Sequence, residues 1–361
     1  MLVKKFFRTT AAAAVSAVFG LALCAPIAAH AALQTASLSS RADGAPGLSE
    51  PVKKPASAPK SAQKTEKKAA KKTVKKTAKP AAPRTGARPS QATLAGLRKT
   101  EDPLRLGSSV AYAVDQATGE ELIVKNADVP LPIASVTKLM TALVIAQSDL
   151  PLTQKIRITR EDYVRSQARS KLVSGMVMTR EAVLKAALMA SDNRAAHALA
   201  RTFPGGKKAF VKAMNDKAHE LGMTDSFFAD PTGLDNRNHA TARDLGKLVA
   251  AVYEHQSIRS ASTAPMARLK AGGRTVVMQT TNRLIGDPSW DIGVQKTGFT
   301  TAAGRCMVVQ SKVGERSLVF VVLDSPSNAA RAQDMRTMRA YVESEGDFAQ
   351  AFAQLQPYAV F

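Results

Sequence analysis

A serine hydroxyl is a weak nucleophile until a neighbouring base takes its proton, and Ser135 and Lys138 stand at a spacing that supplies one. A helix beginning near Ser135 puts the two side chains three residues apart on one face. In a dry, partly cationic pocket the lysine ammonium loses enough basicity to act as that base. The free N–H groups at a helix start point toward the serine, where an oxyanion would be stabilised. The same S-x-x-K spacing recurs at Ser57–Lys60 and Ser61–Lys64, so spacing alone decides nothing. What sets Ser135 apart is the run Leu139–Ala146 behind it, made of helix formers and apolar residues.

Two further constellations lie downstream. In Ser191-Asp192-Asn193, the Ser191 hydroxyl could relay a proton between Lys138 and a leaving amine. The Asn193 amide, donor and acceptor at once, could hold a peptide carbonyl and a lysine together. A plain turn or helix N-cap between two helices would use the same residues. Lys296-Thr297-Gly298 follows a strand expected over Trp290–Gln295. A glycine on a strand edge admits another backbone, so a peptide could add there as an extra strand, with Lys296 and Thr297 offering charge and a donor to a carboxylate or carbonyl. The ordinary alternative is a strand-end turn.

Other chemistries find less support. Cys24 sits in an N-terminal apolar run, which leaves Cys306 as the only other cysteine, in an apolar strand where a core role is expected. The five histidines are scattered, with no H-E-x-x-H and no Cys/His cluster, so a zinc site is poorly supported and no metal or organic cofactor is called for. A Ser-His-Asp triad stays open on residue content, but no G-x-S-x-G surrounds any serine, and Lys138 is the preferred base.

The elements that must position these groups can be read from periodicity. Short β-rich runs at Ser108–Asp115 and Glu121–Asn126 flank the hairpin turn Gln116–Gly119. Thr179 caps a helix running to Met189, which breaks at Ser191–Asn193 and resumes over Arg194–Ala200. Gly206–Leu221 carries Phe210, Met214, Ala218 and Leu221 on one face, and Thr241 caps a helix striped with Leu245, Leu248, Val249 and Val252. Strands return at Arg274–Thr280, Trp290–Lys296, Arg305–Ser311 and Ser317–Leu323, before a closing helix over Asn328–Ser344. This order predicts an α/β (α+β) fold in which an antiparallel sheet, its first strands meeting its last, is flanked by helices and carries an inserted helical region.

The N-terminal third is of another kind. Residues 1–31 read as a signal peptide: Lys4, Lys5 and Arg8 precede an apolar run, and Ala29-His30-Ala31 offers the cleavage site. An uncleaved anchor is the alternative; a lipoprotein on Cys24 is disfavoured by the bulky Leu23, where a small residue is wanted. Residues 32–101 are expected to be a disordered Lys/Ala/Pro-rich linker, with too little apolar surface to offset the entropy of ordering. Residues 51–100 hold fifteen Lys and Arg against Glu66 alone, a net of +14 out of the chain's +22. Such a tract would suggest nucleic acid in a cytosolic protein. Behind a signal peptide no nucleic acid is expected, and residues 52–89 become either a plain tether or a salt-sensitive hold on anionic envelope polymers. Residues 102–361 suffice for one sizeable domain.

Taken together, Ser135–Lys138, Ser191–Asn193 and Lys296–Gly298 resemble the three active-site motifs of the penicillin-recognising serine peptidases. Pro132–Thr141, Asp230-Pro231-Thr232-Gly233-Leu234, Thr241–Leu245 and Lys296–Thr300 look like the D-alanyl-D-alanine carboxypeptidase/endopeptidase family. Pro204–Phe210 and Gly298–Cys306 are similar to its endopeptidase branch. The likeness runs from about Ser108 to Tyr341 and leaves the basic tract outside.

The resemblance implies a β-lactamase/transpeptidase-like fold and a periplasmic enzyme that acts on peptidoglycan stem peptides and is acylated by β-lactams. Ser135 would attack the D-Ala carbonyl with Lys138 as base. Ser191 and Asn193 would shuttle a proton and bind substrate, Lys296 would support the proton network, and Thr297 would bind substrate alongside Gly298. Backbone N–H groups of Ser135 and Phe299 would form the oxyanion hole. Arg331 falls where some carboxypeptidases place a carboxylate-binding arginine, or is an ordinary surface arginine. The leading expectation is a D,D-endopeptidase cutting D-alanyl cross-links. Its rivals are a D,D-carboxypeptidase, a β-lactamase (disfavoured because no E-x-x-L-N is present) and a non-catalytic wall-binding protein.

Overall fold

The computed structural model describes residues 88–355, with side chains described to residue 344. The expected signal peptide and the basic tract up to residue 87 lie outside the described residues. The expected linker boundary at 101 does not hold in the part that is described. Ser90 caps a short helix α1 (Gln91–Leu94), and a 3₁₀ turn follows at Leu97–Lys99. This stretch is docked: Thr93 Oγ1 and Arg98 both donate to Asp324, at 3.1 and 2.8 Å, and the Gln91 N–H donates to the Ala302 carbonyl. Asp102 then accepts from the Leu106 N–H and from Lys125 Nζ at 2.7 Å. Composition hid these anchors because each is a single polar contact to a distant residue, with no periodic apolar face to reveal it.

The main sheet begins with β1 (Val110–Asp115) and β2 (Glu121–Lys125), joined through Gln116–Gly119. A short β3 (Leu131–Pro132) leads to a 3₁₀ turn over Ala134–Thr137 that runs directly into α2 (Lys138–Ala146). Next come β4 (Lys155–Arg157) and β5 (Val177–Thr179), paired with each other, and α3 (Arg180–Met189), whose N-cap Thr179 accepts from the Ala182 N–H. The helical insert continues with α4 (Asn193–Arg201) and α5 (Gly206–Glu220). After β6 (His239–Ala240), which pairs with β3, come α6 (Ala242–Tyr253), capped by Thr241, and α7 (Gln256–Thr263).

The expected strand at Arg274 is one arm of a separate hairpin, β7 (Met266–Ala271) and β8 (Arg274–Gln279), turning at Gly272-Gly273. The main sheet is completed by β9 (Asp291–Thr300), β10 (Gly304–Val313) and β11 (Arg316–Ser325), with the closing α8 (Asn328–Leu355) behind. Its order is β2-β1-β11-β10-β9, so the first strands do meet the last, and β9 is an edge.

Strand side chains alternate between faces, and here both faces are covered. Val319, Val321, Leu323 and Cys306 point to the helical side with α2 and α6, while Leu318, Phe320, Val322, Met307 and Val309 pack on Met335, Met338 and Val342 of α8. Each such fully buried aliphatic contributes about 1.5–3 kcal/mol of burial. Helix α2 is buried from Lys138 to Ile145, which fits a helix that is apolar nearly all round. Its N-terminal end, and so Ser135, is held by the core of the protein.

Candidate active site

Ser135 does not sit in regular α-helix; it lies in the 3₁₀ turn, directly after Ala134, whose φ is +47°. A non-glycine residue in the left-handed region costs about 1 kcal/mol or more and persists only where its surroundings enforce it. Two glycines make room for it here. A Cβ on Gly233 (φ +79°) would stand 1.8 Å from the Ala134 carbonyl oxygen. A Cβ on Gly298 would lie 2.9 Å from the Ile133 oxygen and 3.0 Å from the Ser135 amide nitrogen. The backbone that Gly298 admits is thus the chain's own serine turn, pressed between the 230s loop and β9.

Lysine 138 begins α2 and is fully buried. Its Nζ lies 2.8 Å from Ser135 Oγ, 2.7 Å from Asn193 Oδ1 and 2.8 Å from the Thr232 carbonyl oxygen. Burial lowers its pKa to about 7; Asp230 and Asp192 pull weakly the other way. As an amine, it donates two hydrogens to Asn193 and Thr232, and its lone pair faces the Ser135 hydroxyl.

Asn193 is the first residue of α4, and Asp192 is that helix's N-cap, accepting from the Ala195 N–H at 3.0 Å. The turn expected at Ser191–Asn193 and the presentation of Asn193 to Lys138 are therefore one arrangement. Ser191 has φ +56° and, half-buried, accepts from Lys296 Nζ at 3.0 Å. Its contact is with the second lysine; among the described residues it makes no hydrogen bond to Lys138.

Lys296-Thr297-Gly298 is not a strand-end turn. β9 continues to Thr300 and pairs with β10 throughout, Gly298 opposite Cys306 and Thr300 opposite Gly304. Lys296 is fully buried and also donates to the Thr297 carbonyl at 2.7 Å. Burial, then the Lys138 and Arg331 charges, hold its pKa well below the ordinary lysine value. Thr297 Oγ1 is 2.7 Å from Thr281 Oγ1. Phe299 is exposed beside it, with the Arg305 guanidinium over its ring at 4.8 Å.

Arg331 is not a surface residue. It is 7% exposed, donates through Nη1 to the Cys306 carbonyl at 3.2 Å, and keeps its Nε buried without a partner. Cys306 is buried, and desolvation pushes its thiol up to about 12, which leaves it inert in the core.

Sequence reasoning assigned no role to the loop Asp230–Asn238. Thr232 supplies the carbonyl that holds Lys138, and Thr141 Oγ1 donates to the Pro231 carbonyl. Asn238 ties the loop to the serine turn through Thr137 Oγ1 and to Asp230. The letters Asp-Pro-Thr-Gly-Leu were visible; that one of them acts through a backbone oxygen was not.

A cavity of about 270 Å³ opens beside Ser191–Asn193, lined also by Arg169, Ser170, Lys171 and Met278–Thr280. Among the described residues no group of three or more His, Cys, Asp or Glu side chains is placed to hold a metal ion.

Comparison with known proteins places this arrangement. Residues 98–327 match the family model described as D-alanyl-D-alanine carboxypeptidase. The D-alanyl-D-alanine endopeptidase of Pseudomonas aeruginosa is 40% identical over 244 residues, 66% of this chain and 78% of its own length. That of Escherichia coli is 36% identical over 266 residues, 73% of this chain and 84% of its own. Among solved structures, the DD-transpeptidase of Streptomyces K15 superposes with a TM-score of 0.61 at 29% identity, covering 67% of this chain and 98% of that one.

Proposed function

This chain belongs to the D-alanyl-D-alanine carboxypeptidase family, and from that premise we propose that it is a serine D,D-peptidase of peptidoglycan that hydrolyses D-alanyl cross-links between stem peptides. The observation that carries the mechanism is the single lysine nitrogen within hydrogen-bond reach of the Ser135 hydroxyl, a backbone carbonyl and the Asn193 amide, with its pKa near 7.

Lys138, as the amine, takes the Ser135 proton as Oγ attacks the D-Ala carbonyl. The negative charge develops on the substrate's carbonyl oxygen, for which the backbone N–H groups of Ser135 and Phe299 are the donors this reading assigns. Lys138 returns the proton to the leaving amine, while the Ser191 hydroxyl, which accepts from Lys296, lines the cleft beside it. An ester on Ser135 remains, and water then hydrolyses it. The substrate backbone lies along the free edge of β9 as a further strand, with Asn193 and Thr297 holding its carbonyl and carboxyl groups. β-Lactams acylate Ser135 by the same route.

The buried Arg331 favours a second reading, D,D-carboxypeptidase action. Its unpartnered Nε, close enough to Lys296 to lower that lysine's pKa, suits a terminal carboxylate. The two readings part on defined muropeptides: a cross-linked dimer cleaved faster than a pentapeptide loses its D-Ala supports endopeptidase action, and the reverse ranking replaces it. The common chemistry is tested by intact mass after brief exposure to penicillin. An adduct on the parent that is missing from Ser135→Ala is expected. Intact penicillin and unmodified protein would instead favour a wall-binding role without catalysis, and rapid loss of penicillin without an adduct would favour a β-lactamase.

We place the enzyme in the periplasm, exported by residues 1–31 and tethered by the basic tract to anionic envelope polymers. Retention on isolated cell walls that falls as salt rises is the expected result, and retention indifferent to salt removes the electrostatic part of this reading.

A further inference from the structure

After a 3₁₀ turn over Arg160–Asp162 the chain runs without helix or strand to Gly175 and folds against the start of α4. Two adjoining cavities open there, of about 340 and 270 Å³, and both are lined by Ala168, Arg169, Ser170 and Asn193. No residue of β9 is among their linings, and the trough runs from Asn193 along residues 166–171.

The charge of the trough is one-sided. Arg169, Lys171 and Arg194 line it, and Asp192 is its one carboxylate. Asp192 is already engaged, accepting from Ser170 Oγ at 2.7 Å and from the Ala195 N–H at 3.0 Å. Nearby Asp162 is buried and occupied by Arg201 at 2.8 Å. The three cations of the trough make no ion pair among the described residues. Arg194 is held in place by the Leu172 carbonyl, which accepts from its Nη1, and by the Tyr163 ring 5.5 Å from its guanidinium carbon. Lys171 is fixed by donating to the Val277 carbonyl at 2.9 Å. Arg169 is exposed at the rim. Two held cations and a third exposed at the rim, without an anion of their own and beside the Asn193 amide, suit a hold on a carboxylate.

We propose that this trough is a specificity subsite for a free carboxylate of the peptide substrate, carried on the residue next to the carbonyl that Asn193 holds. The enzyme then selects acidic stem peptides over those whose carboxylates are amidated. The inference rests on the D,D-peptidase reading of the cleft and adds the substrate class.

The test compares kcat/KM for a defined cross-linked muropeptide carrying free carboxylates with that for its carboxamide counterpart. The parent enzyme should prefer the acidic peptide about five- to tenfold, the scale of one charge-assisted hydrogen bond in a partly screened site. Arg169→Gln and Arg194→Gln should each lower that ratio toward one, and rising ionic strength should do the same. Arg165→Gln removes a charge from the same loop outside both cavities and should leave the ratio as it was. No preference in the parent, a ratio untouched by Arg169→Gln, or an equal fall with Arg165→Gln would each overturn the subsite. Arg169 lies on an exposed loop, so its variant keeps the test open should Arg194→Gln fail to fold. Penicillin acylation of the parent reports separately on the underlying reaction: an adduct together with an unchanged ratio rejects only the subsite, whereas no adduct rejects the reaction itself.

Discussion

Lys125 at one edge of the sheet and Lys138 in the cleft are both almost wholly withdrawn from water, yet they are surrounded in opposite ways. Lys125 meets a carboxylate, Asp102, at 2.7 Å, and the Leu106 carbonyl completes its shell. Lys138 meets an amide oxygen, a carbonyl and a hydroxyl, and its nearest carboxylates, Asp230 and Asp192, act on it only from beyond contact. An ion pair locks one segment to another, whereas a buried lysine met only by neutral acceptors gives up its proton more readily. On the proposed reading the fold uses the same residue as a rivet in one place and as a base in the other, and the choice of partner makes the difference.

The sharpest way to break this contrast is to remove what the base acts on or the base itself. Ser135→Ala should abolish the penicillin adduct and lower peptide hydrolysis by at least about 10³-fold. Lys138→Met should lower acylation by a similar factor. It should also raise thermal stability by roughly 1–2 kcal/mol, because a buried group without a countercharge is replaced by an apolar one. A melting temperature that falls for Lys138→Met would mean that the lysine is structural in the same sense as Lys125.

At the other pole, Asp102→Ala strands the Lys125 ammonium and should cost about 3 kcal/mol in chemical denaturation, while the folded enzyme keeps its acylation rate. Loss of acylation at full stability would erase the distinction between the two regions.

The mildest perturbation is pH. The reactive form of Lys138 is the deprotonated one, so acylation should climb about tenfold per pH unit below 7 and level off above a midpoint of about 7. For stability the sign also follows from a lowered pKa. The folded state binds this proton less readily than the unfolded chain, whose lysine titrates near 10.5, so the Lys138 contribution to stability grows as pH rises from about 7 toward that value. A flat acylation profile between pH 5 and 8 would remove Lys138 from the role of base.

Much of this was legible in the chain because side chains carry it. The three-residue step from Ser135 to Lys138, the caps Thr179 and Thr241, and the meeting of first and last strands all follow from residue types and periods. The missing parts are of another physical kind. The strained φ of Ala134 is given room by two glycines roughly one hundred and more residues away, and the Thr232 carbonyl belongs to backbone, which has no letter. β7 escaped notice because Met266-Ala-Arg-Leu-Lys-Ala buries only Leu269 and Ala271 and offers a weak alternation. α7 escaped because its polar sequence buries only Ile258, Ala261 and Ser262. Lys296–Gly298 was placed at the end of a strand because glycine usually weakens one; here the pairing with β10 carries the strand through to Thr300.

The docked stretch from Ser90 to Leu106 also sets how short this protein can be cut. A version beginning at Ser90 keeps both Thr93 and Arg98 on Asp324, a buried carboxylate whose own backbone stands at φ +54° and which also accepts from Ser109 at 2.6 Å. A version beginning at Ser108, where the strand pattern starts, would leave Lys125 and Asp324 short of their partners on either side of the start of β1. Limited proteolysis should therefore find its resistant fragment starting before Ser90, and crystals or screening assays are best sought with that fragment rather than with the strand-bounded one.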